Sequence, residues 1–324
     1  MVARANILLR LGLGLGIAAG LATAAAAESF MVDLTHPLPT FQPMDDDPMK
    51  PDLSKPWGDS RPIPTFGAQT VLAIGQFPIA AGAFDLGTLV LAEHHGTHMD
   101  TAGHFVNSPE TMEGDNPTAD KRRLAHQLTA EDLIGPVVLI DISGRVQTEL
   151  DKNGGTPSPD RAVTDFSNAS GNVVTADDID TVADSIADGV WLVLSQGWSR
   201  FYFQGADFGK DPYINGFNFP GLSHAAVDRL IEIEDGKGVR INGIVSDVIG
   251  VESGESSRGT GDTWANSWPA HVRGLQRGWK LVENANNTGA LAQATPGSCT
   301  LIVGAPKHVR GTGGPSRVLA MCDR

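Results

Sequence analysis

Leu91–Phe105 reads LAEHHGTHMDTAGHF and holds four of the nine histidines in the 324-residue chain. His94 and His98 stand four residues apart, Asp100 follows two later, and His104 four beyond that. Neutral imidazole and carboxylate are the nitrogen and oxygen donors that Zn2+ and Mn2+ take. One His–x–x–x–His pair is weak evidence; three histidines in register with an aspartate point to a metal site. Gly96 argues against a single unbroken helix, and without a Cβ it lets backbone approach an ion. A strand ending near Ala92 would set the cluster at a strand's carboxyl end, where α/β proteins place their sites. His95 faces away from its neighbours in any regular backbone and reads as a bystander.

Outward from this stretch, strand-like and helix-like segments alternate. GPVVLIDIS and GVWLVLSQGW are short Val/Leu/Ile runs suited to strands buried on both faces. AQTVLAIGQFPI, FDLGTLVLAEHH and WKLVENA also read as strands. TADDIDTVADSI and SHAAVDRLIEI open on Thr175 and Ser223 as N-caps and continue with helical spacing. PAHVRGLQRG starts a helix at Pro269 and stops near Gly278. Residues 37–66 read as an irregular loop and 144–172 as a polar surface insertion. The interleaving gives an α/β class, a single domain with mixed β-sheet flanked by helices. No repeat or long linker divides it.

The first 27 residues carry Arg4 and Arg10, then an uncharged Gly/Ala/Leu stretch ending before Glu28. That order reads as a secretory signal cut near Ala27, with the mature domain at 28–324 exported to a periplasm. The uncharged stretch is short and weakly apolar for a membrane anchor, and no second span follows. Cys299 and Cys322 flank a hairpin formed by SCTLIVGA and SRVLAMC, so an oxidised pair and two buried thiols are both open. A net charge of -14 argues against a nucleic-acid partner. Absence of a Gly-x-Ser-x-Gly elbow argues against a serine hydrolase.

HHGTHMDTAGH resembles the His-x-Gly-Thr-His-x-Asp-x-Pro-x-His signature of the cyclase-family metal hydrolases, which include bacterial kynurenine formamidase and isatin hydrolase. DLTHPL, LSQGWSRF, FNFPGLSHAAVDRLIE, PAHVRGLQRGWKLVENA and CTLIVGAPKHVRGTGGPSRVLAM resemble further family blocks in the same order, covering residues 31–322. The resemblance implies a swivelling β/β/α fold, His94, His98 and Asp100 as metal ligands, and His104 as the acid/base. It adds His271 and Glu283 as ligands for members with two metals. It implies one or two divalent ions, Zn2+ or Mn2+, and a homodimer or homotetramer. The expected reaction is hydrolysis of a C–N bond in an amide, formamide or cyclic amide; a lactone or ester hydrolase and a non-catalytic periplasmic metal binder are the alternatives. Trp198, Phe201 and Phe203 suggest an apolar wall for an aromatic or cyclic substrate. His36 either lines the site or fixes a strand end, His224 reads as exposed, and His126 and His308 give no argument. Two departures stand out: Ala102 replaces the signature's proline, and 243–262 is irregular against the family.

Overall fold

The structure, a computed structural model, describes residues 28–47, 50–61, 74–76, 79–81, 84–86, 89–105, 123–204, 211–258 and 267–324. The expected signal at 1–27 lies outside the described residues, as does part of the irregular 243–262 segment. Among the described residues, no helix is long and apolar enough to cross a membrane.

Nine strands make the main sheet: β1 Ser29–Asp33, β2 His98–Asp100, β3 Ile134–Asp141, β4 Val190–Ser195, β5 Ile241–Ser246, β6 Lys280–Glu283, β7 Thr300–Gly304, β8 Gly313–Pro315 and β9 Arg317–Asp323. Their spatial order is β1-β9-β7-β3-β4-β5-β6-β2-β8. β3 to β6 run parallel, and the outer strands pair antiparallel. Every residue of β4 and β5 is buried, as parallel strands covered on both faces require. Their side chains alternate between two cores. Leu192 and Leu194 join one with Ile179 and Leu230 from the helices α2, Ala176–Val182, and α3, His224–Lys237. Trp191 and Val193 join the other with Met99, Val282 and Val318. Both helices begin as their sequences predict. Thr175 caps α2 by accepting the Asp178 amide, and Ser223 caps α3 by accepting the Ala226 amide.

Only Ser316 separates β8, at one edge of the sheet, from β9, next to the other. The sheet therefore curls until its edges meet. The Leu34 amide donates to Val318 O at 2.9 Å, the Asn286 amide donates to Leu34 O at 2.9 Å, and Thr35 bridges to Ala285. β7 and β9 form the expected hairpin, and the Thr300–Met321 register brings Cys299 opposite Cys322, which are disulfide-bonded.

Two segments differ from their sequence reading. Residues 37–66 are not wholly irregular: Thr40–Pro43 and Pro51–Pro56 pair antiparallel in a second, four-stranded sheet with Ile74–Gln76 and Leu89–Val90. Pro43, Pro51 and Pro56 sit at strand ends, and Pro51–Pro56 is an edge strand, where a missing N–H costs little; residues 48–49 and 62–66 of this stretch lie outside the described residues. Residues 144–172 are not a surface insertion. The helix α1, Ser143–Asp151, buries Val146 and Leu150 four residues apart, and the loop after it buries Thr164 and Phe166.

Candidate metal centre

β2 supplies the middle of the site. In a strand, alternate residues share a face, so His98 and Asp100 point together while Met99 enters the second core. A strand does end before the cluster, at Leu89–Val90, but His98 and Asp100 lie on a further short strand of their own. β2 is held between β6 and β8, and the register sets Glu283 opposite His98 and Gly313 opposite Asp100. Gly96 turns the chain into β2 with φ +64°. The loop before it carries His94, and the turn after it carries His104. That turn closes with the His104 amide donating to Thr101 O at 2.9 Å. Ala102 occupies the turn position that proline favours, and the Thr101 hydroxyl, donating to Thr312 O at 2.8 Å, ties the turn down in its place.

Two groups of ligand atoms form, each spanning no more than 4.8 Å: His94, Asp100 and His104, and His98, Asp100 and Glu283. Asp100 belongs to both. Its Oδ1 lies 2.5 Å from His94 Nδ1 and 3.2 Å from His98 Nε2, and its Oδ2 lies 3.4 Å from His271 Nε2. His271 Nε2 is also 3.1 Å from Glu283 Oε1. The His94 and His104 rings stack at 3.7 Å. All six residues named from the sequence for metal or acid/base roles therefore converge here, from a loop, three strand positions, a turn and a short π-helical turn at Ala270–Gly274. Such π-turns recur at functional sites.

The surroundings orient the rings. His98 Nδ1 donates to Gly96 O at 2.9 Å, leaving Nε2 to face the carboxylates. His271 Nδ1 pairs with Glu252 Oε2 at 2.9 Å. Glu252 also accepts the Ala270 and His271 amides at 2.8 and 2.9 Å, so one buried carboxylate fixes both the ring and the start of its turn. Sequence reasoning missed Glu252, whose role appears only when residues nineteen positions apart meet. A carboxylate behind a ligating imidazole is the usual arrangement at metal sites.

Asp100 is fully buried, yet its Oδ2 makes no hydrogen bond and has only the long 3.4 Å ion pair with His271 Nε2. An orphaned buried acceptor costs about 1–3 kcal/mol. A divalent cation among these imidazoles and carboxylates would remove that cost, and the donor set suits Zn2+ or Mn2+. Electrostatics point the same way. Burial opposes ionisation of Asp100, but the imidazoles of His98 and His104 hold its carboxyl well below the usual range. Burial pulls His98 down, and the Asp100 and Glu283 carboxylates more than offset it, leaving it at about 9. Burial pushes His104 down to about 4.

The aromatic candidates divide. Trp198 and Phe201 are core residues; Trp198 is fully buried and its indole N–H donates to Tyr213 O at 2.8 Å. Phe203 is half-buried and lines a cleft of about 420 Å3 with Pro37, Leu38 and Arg61. Two half-buried rings that the sequence reading passed over, Phe105 and Trp268, each lie 5.4 Å from the His271 ring. Phe105 directly follows His104, the one sequence signal that could have found it. His36 is buried, stacks on Tyr202 at 4.1 Å, and donates its amide to Thr97 Oγ1. His224, expected at the surface, is half-buried beside Arg273, and burial lowers its pKa. His95 belongs to neither ligand group.

The Cyclase family model matches residues 32–253, more than half of the chain. The chain belongs to the Cyclase family. An isatin hydrolase from Roseibium aggregatum is 26% identical over 244 residues, covering 73% of this chain and 74% of its own. The family fold recurs in solved structures. An isatin hydrolase bound to the product analogue thioisatinate aligns over 92% of this chain and 94% of its own, with TM-score 0.59 and 23% identity. Isatin hydrolase A from Ralstonia solanacearum aligns over 91% and 92%, with TM-score 0.55 and 19% identity. A novel cyclase aligns over 91% and 87%, with TM-score 0.53 and 16% identity. These folds agree with the mixed α/β architecture and the curled sheet of this Cyclase-family chain.

Proposed function

We propose that this chain is a divalent-metal-dependent hydrolase that opens the C–N bond of a flat, ring-fused cyclic amide or an aryl formamide. The observation that carries the reading is the pair of ligand groups sharing Asp100, whose Oδ2 is buried without a hydrogen-bond partner. The isatin hydrolase relative supports the substrate class, isatin being a flat fused lactam.

When bound, a divalent ion supplies Lewis acidity, polarising a carbonyl and making water acidic enough to attack near neutral pH. The remaining work falls to side chains. His94, His98 and Asp100 would hold the ion, and His271 and Glu283 would complete a site for two. His104 is neutral at pH 7, so its ring can take a proton from the attacking water and return it to the leaving nitrogen. Phe105 and Trp268 flank the His271 ring and give that side of the site an apolar wall suited to a planar substrate. The signal-like start fits export, and the family resemblance fits a homodimer or homotetramer.

Metal analysis of purified protein, followed by an absorbance assay for ring opening of isatin and hydrolysis of N-formylkynurenine, tests this reading. Turnover that depends on added Zn2+ or Mn2+ is expected. His104→Gln should retain an ion at His98, Asp100 and Glu283, the group that lacks His104, while turnover falls about 100-fold or more. Full activity in metal-stripped protein would sink the proposal, and so would an inert protein across cyclic amides and formamides.

A further inference from the structure

The motif's glutamate and a threonine 219 residues later lie behind His94, in a chain of contacts that the reaction does not itself use. Thr312 Oγ1 lies 2.9 Å from His94 Nε2 and 2.7 Å from Glu93 Oε2, and the Thr312 amide donates to that same oxygen at 3.0 Å. Glu93 Oε1 lies 2.6 Å from His308 Nε2, on a side chain 40% exposed. The run therefore passes from a solvent-facing imidazole, through a carboxylate and a hydroxyl, to the back of a candidate ligand.

The direction of the run follows from donor counts. A glutamate carboxylate only accepts, and a threonine hydroxyl has one proton. Thr312 gives that proton to Glu93, so its lone pair receives the N–H at His94 Nε2. His94 thereby keeps a proton on Nε2; by the same count the 2.5 Å contact of Nδ1 with Asp100 Oδ1 carries a proton on Nδ1, and it is this one, not the one held at Nε2, that a bound cation would displace. β8 is built to bring this about: it begins one residue after Thr312, and Gly313 packs where a Cβ would come within 2.5 Å of His94 Cε1. With Gly313 opposite Asp100 in register, the same strand docks Thr312 behind His94.

We propose that Glu93 and Thr312 are positioning residues that select the tautomer and fix the ring of His94 for cation binding. The proposal rests on the reading of His94 as a ligand. It also gives His308, which carried no argument in the sequence, a part in holding Glu93.

The test is cation affinity, read without turnover. The apparent Kd of the full chain for Mn2+ and for Zn2+ is measured by competition against a chelator of known affinity. Thr312→Val, nearly isosteric, should weaken binding about 10- to 100-fold, the usual effect of losing a group that orients a ligand. Thr312→Ser should restore it, and Glu93→Gln should fall between. In a His94→Ala background Thr312→Val should have no further effect, because the pair acts through that ring. A Thr312→Val protein that folds with unchanged Kd overturns the proposal, as does an equal loss in the His94→Ala background. Should Thr312→Val fail to fold, unchanged affinity in Glu93→Gln overturns it instead. Failure of the wild-type chain to bind either cation removes both this proposal and the hydrolase reading; turnover on every substrate absent but tight binding present removes the hydrolase reading alone.

Discussion

At the scale of single residues, Asp100 has the most to lose. It is shared by both ligand groups and touches His94, His98 and His271. Asp100→Asn should weaken divalent-ion binding by more than about 100-fold, since it removes the shared negative charge at the cation position; metal analysis after gel filtration reads the loss. The proton balance gives a second expectation. With its pKa near 9, His98 carries a proton at pH 7, and a ligand imidazole must release that proton to a cation. Raising the pH from 6 toward 9 removes the competing proton, so affinity should climb by about tenfold per pH unit for each proton released. Titrations at fixed ionic strength check the slope; affinity flat or falling across that range would contradict it. The residues legible beforehand were those packed into one stretch, His94, His98, Asp100 and His104. His271 and Glu283 became visible only through resemblance, because a lone histidine in a helical turn and a lone strand glutamate carry no local signature. Glu252 and Thr312 stand in no ligand spacing in the sequence and Glu93 merely precedes His94, so all three show their purpose only as neighbours of a ligand in space.

Elements matter because β2 is three residues long and depends on its neighbours. Paired to β6 on one side and β8 on the other, it gains from the sheet what its own length cannot supply. Gly313 is where this dependence is tightest. A Cβ there would sit 2.5 Å from His94 Cε1 and 2.7 Å from Met99 O, and the second of these is backbone that cannot rotate away. Gly313→Ala should therefore destabilise the protein by about 1–3 kcal/mol, the range for overpacking, and push the His94 ring off its place. Gly144→Ala is the control. That position lies in α1 with nothing within 4 Å, so alanine should stabilise by about 0.5–1 kcal/mol. Denaturant midpoints of the two variants should move in opposite directions. A strand does end before the cluster, at Leu89–Val90, but the sequence gives no sign of the second strand on which His98 and Asp100 lie, for a physical reason: a buried strand made of His-Met-Asp has no hydrophobic run to announce it. The parallel strand β4, apolar but for its last residue and buried throughout, matches its reading because its environment is uniform; β3 is a strand as read but has exposed positions, and β5 has no counterpart in the sequence reading, since Asn242 and Gly243 interrupt its apolar run. The loop reading of residues 37–66 failed at prolines tolerated at the ends of an edge strand.

For the whole molecule, the curl of the sheet is what assembles the site. Thr97 ties the seam to the site: its hydroxyl accepts the His36 amide across the seam at 2.9 Å and donates to Asn284 O at 2.6 Å, the next pair along β2 and β6 after His98 and Glu283. Contacts between stretches as distant as Leu34 and Asn286, or Thr35 and Ala285, are invisible to periodicity and spacing, so most strands could be read from the chain while their closure could not. The Cys299–Cys322 bond lies away from this seam. β9 leaves the seam at Arg317, and Cys322 is five residues further along it, about 17 Å at the usual rise of an extended strand. The bond closes a loop with a sequence separation of 23, so it should act on stability by restricting the unfolded chain. Replacing both cysteines with serine should lower stability by about 2–4 kcal/mol. Thermal unfolding should show the same drop when the wild-type protein is reduced. Cation affinity and turnover at 25 °C should remain at wild-type values, because no ligand lies on the β7–β9 hairpin. A double-serine variant that kept its melting temperature but lost its metal would mean that strain passes along β9 into the seam, and that the two ends of the curled sheet are coupled.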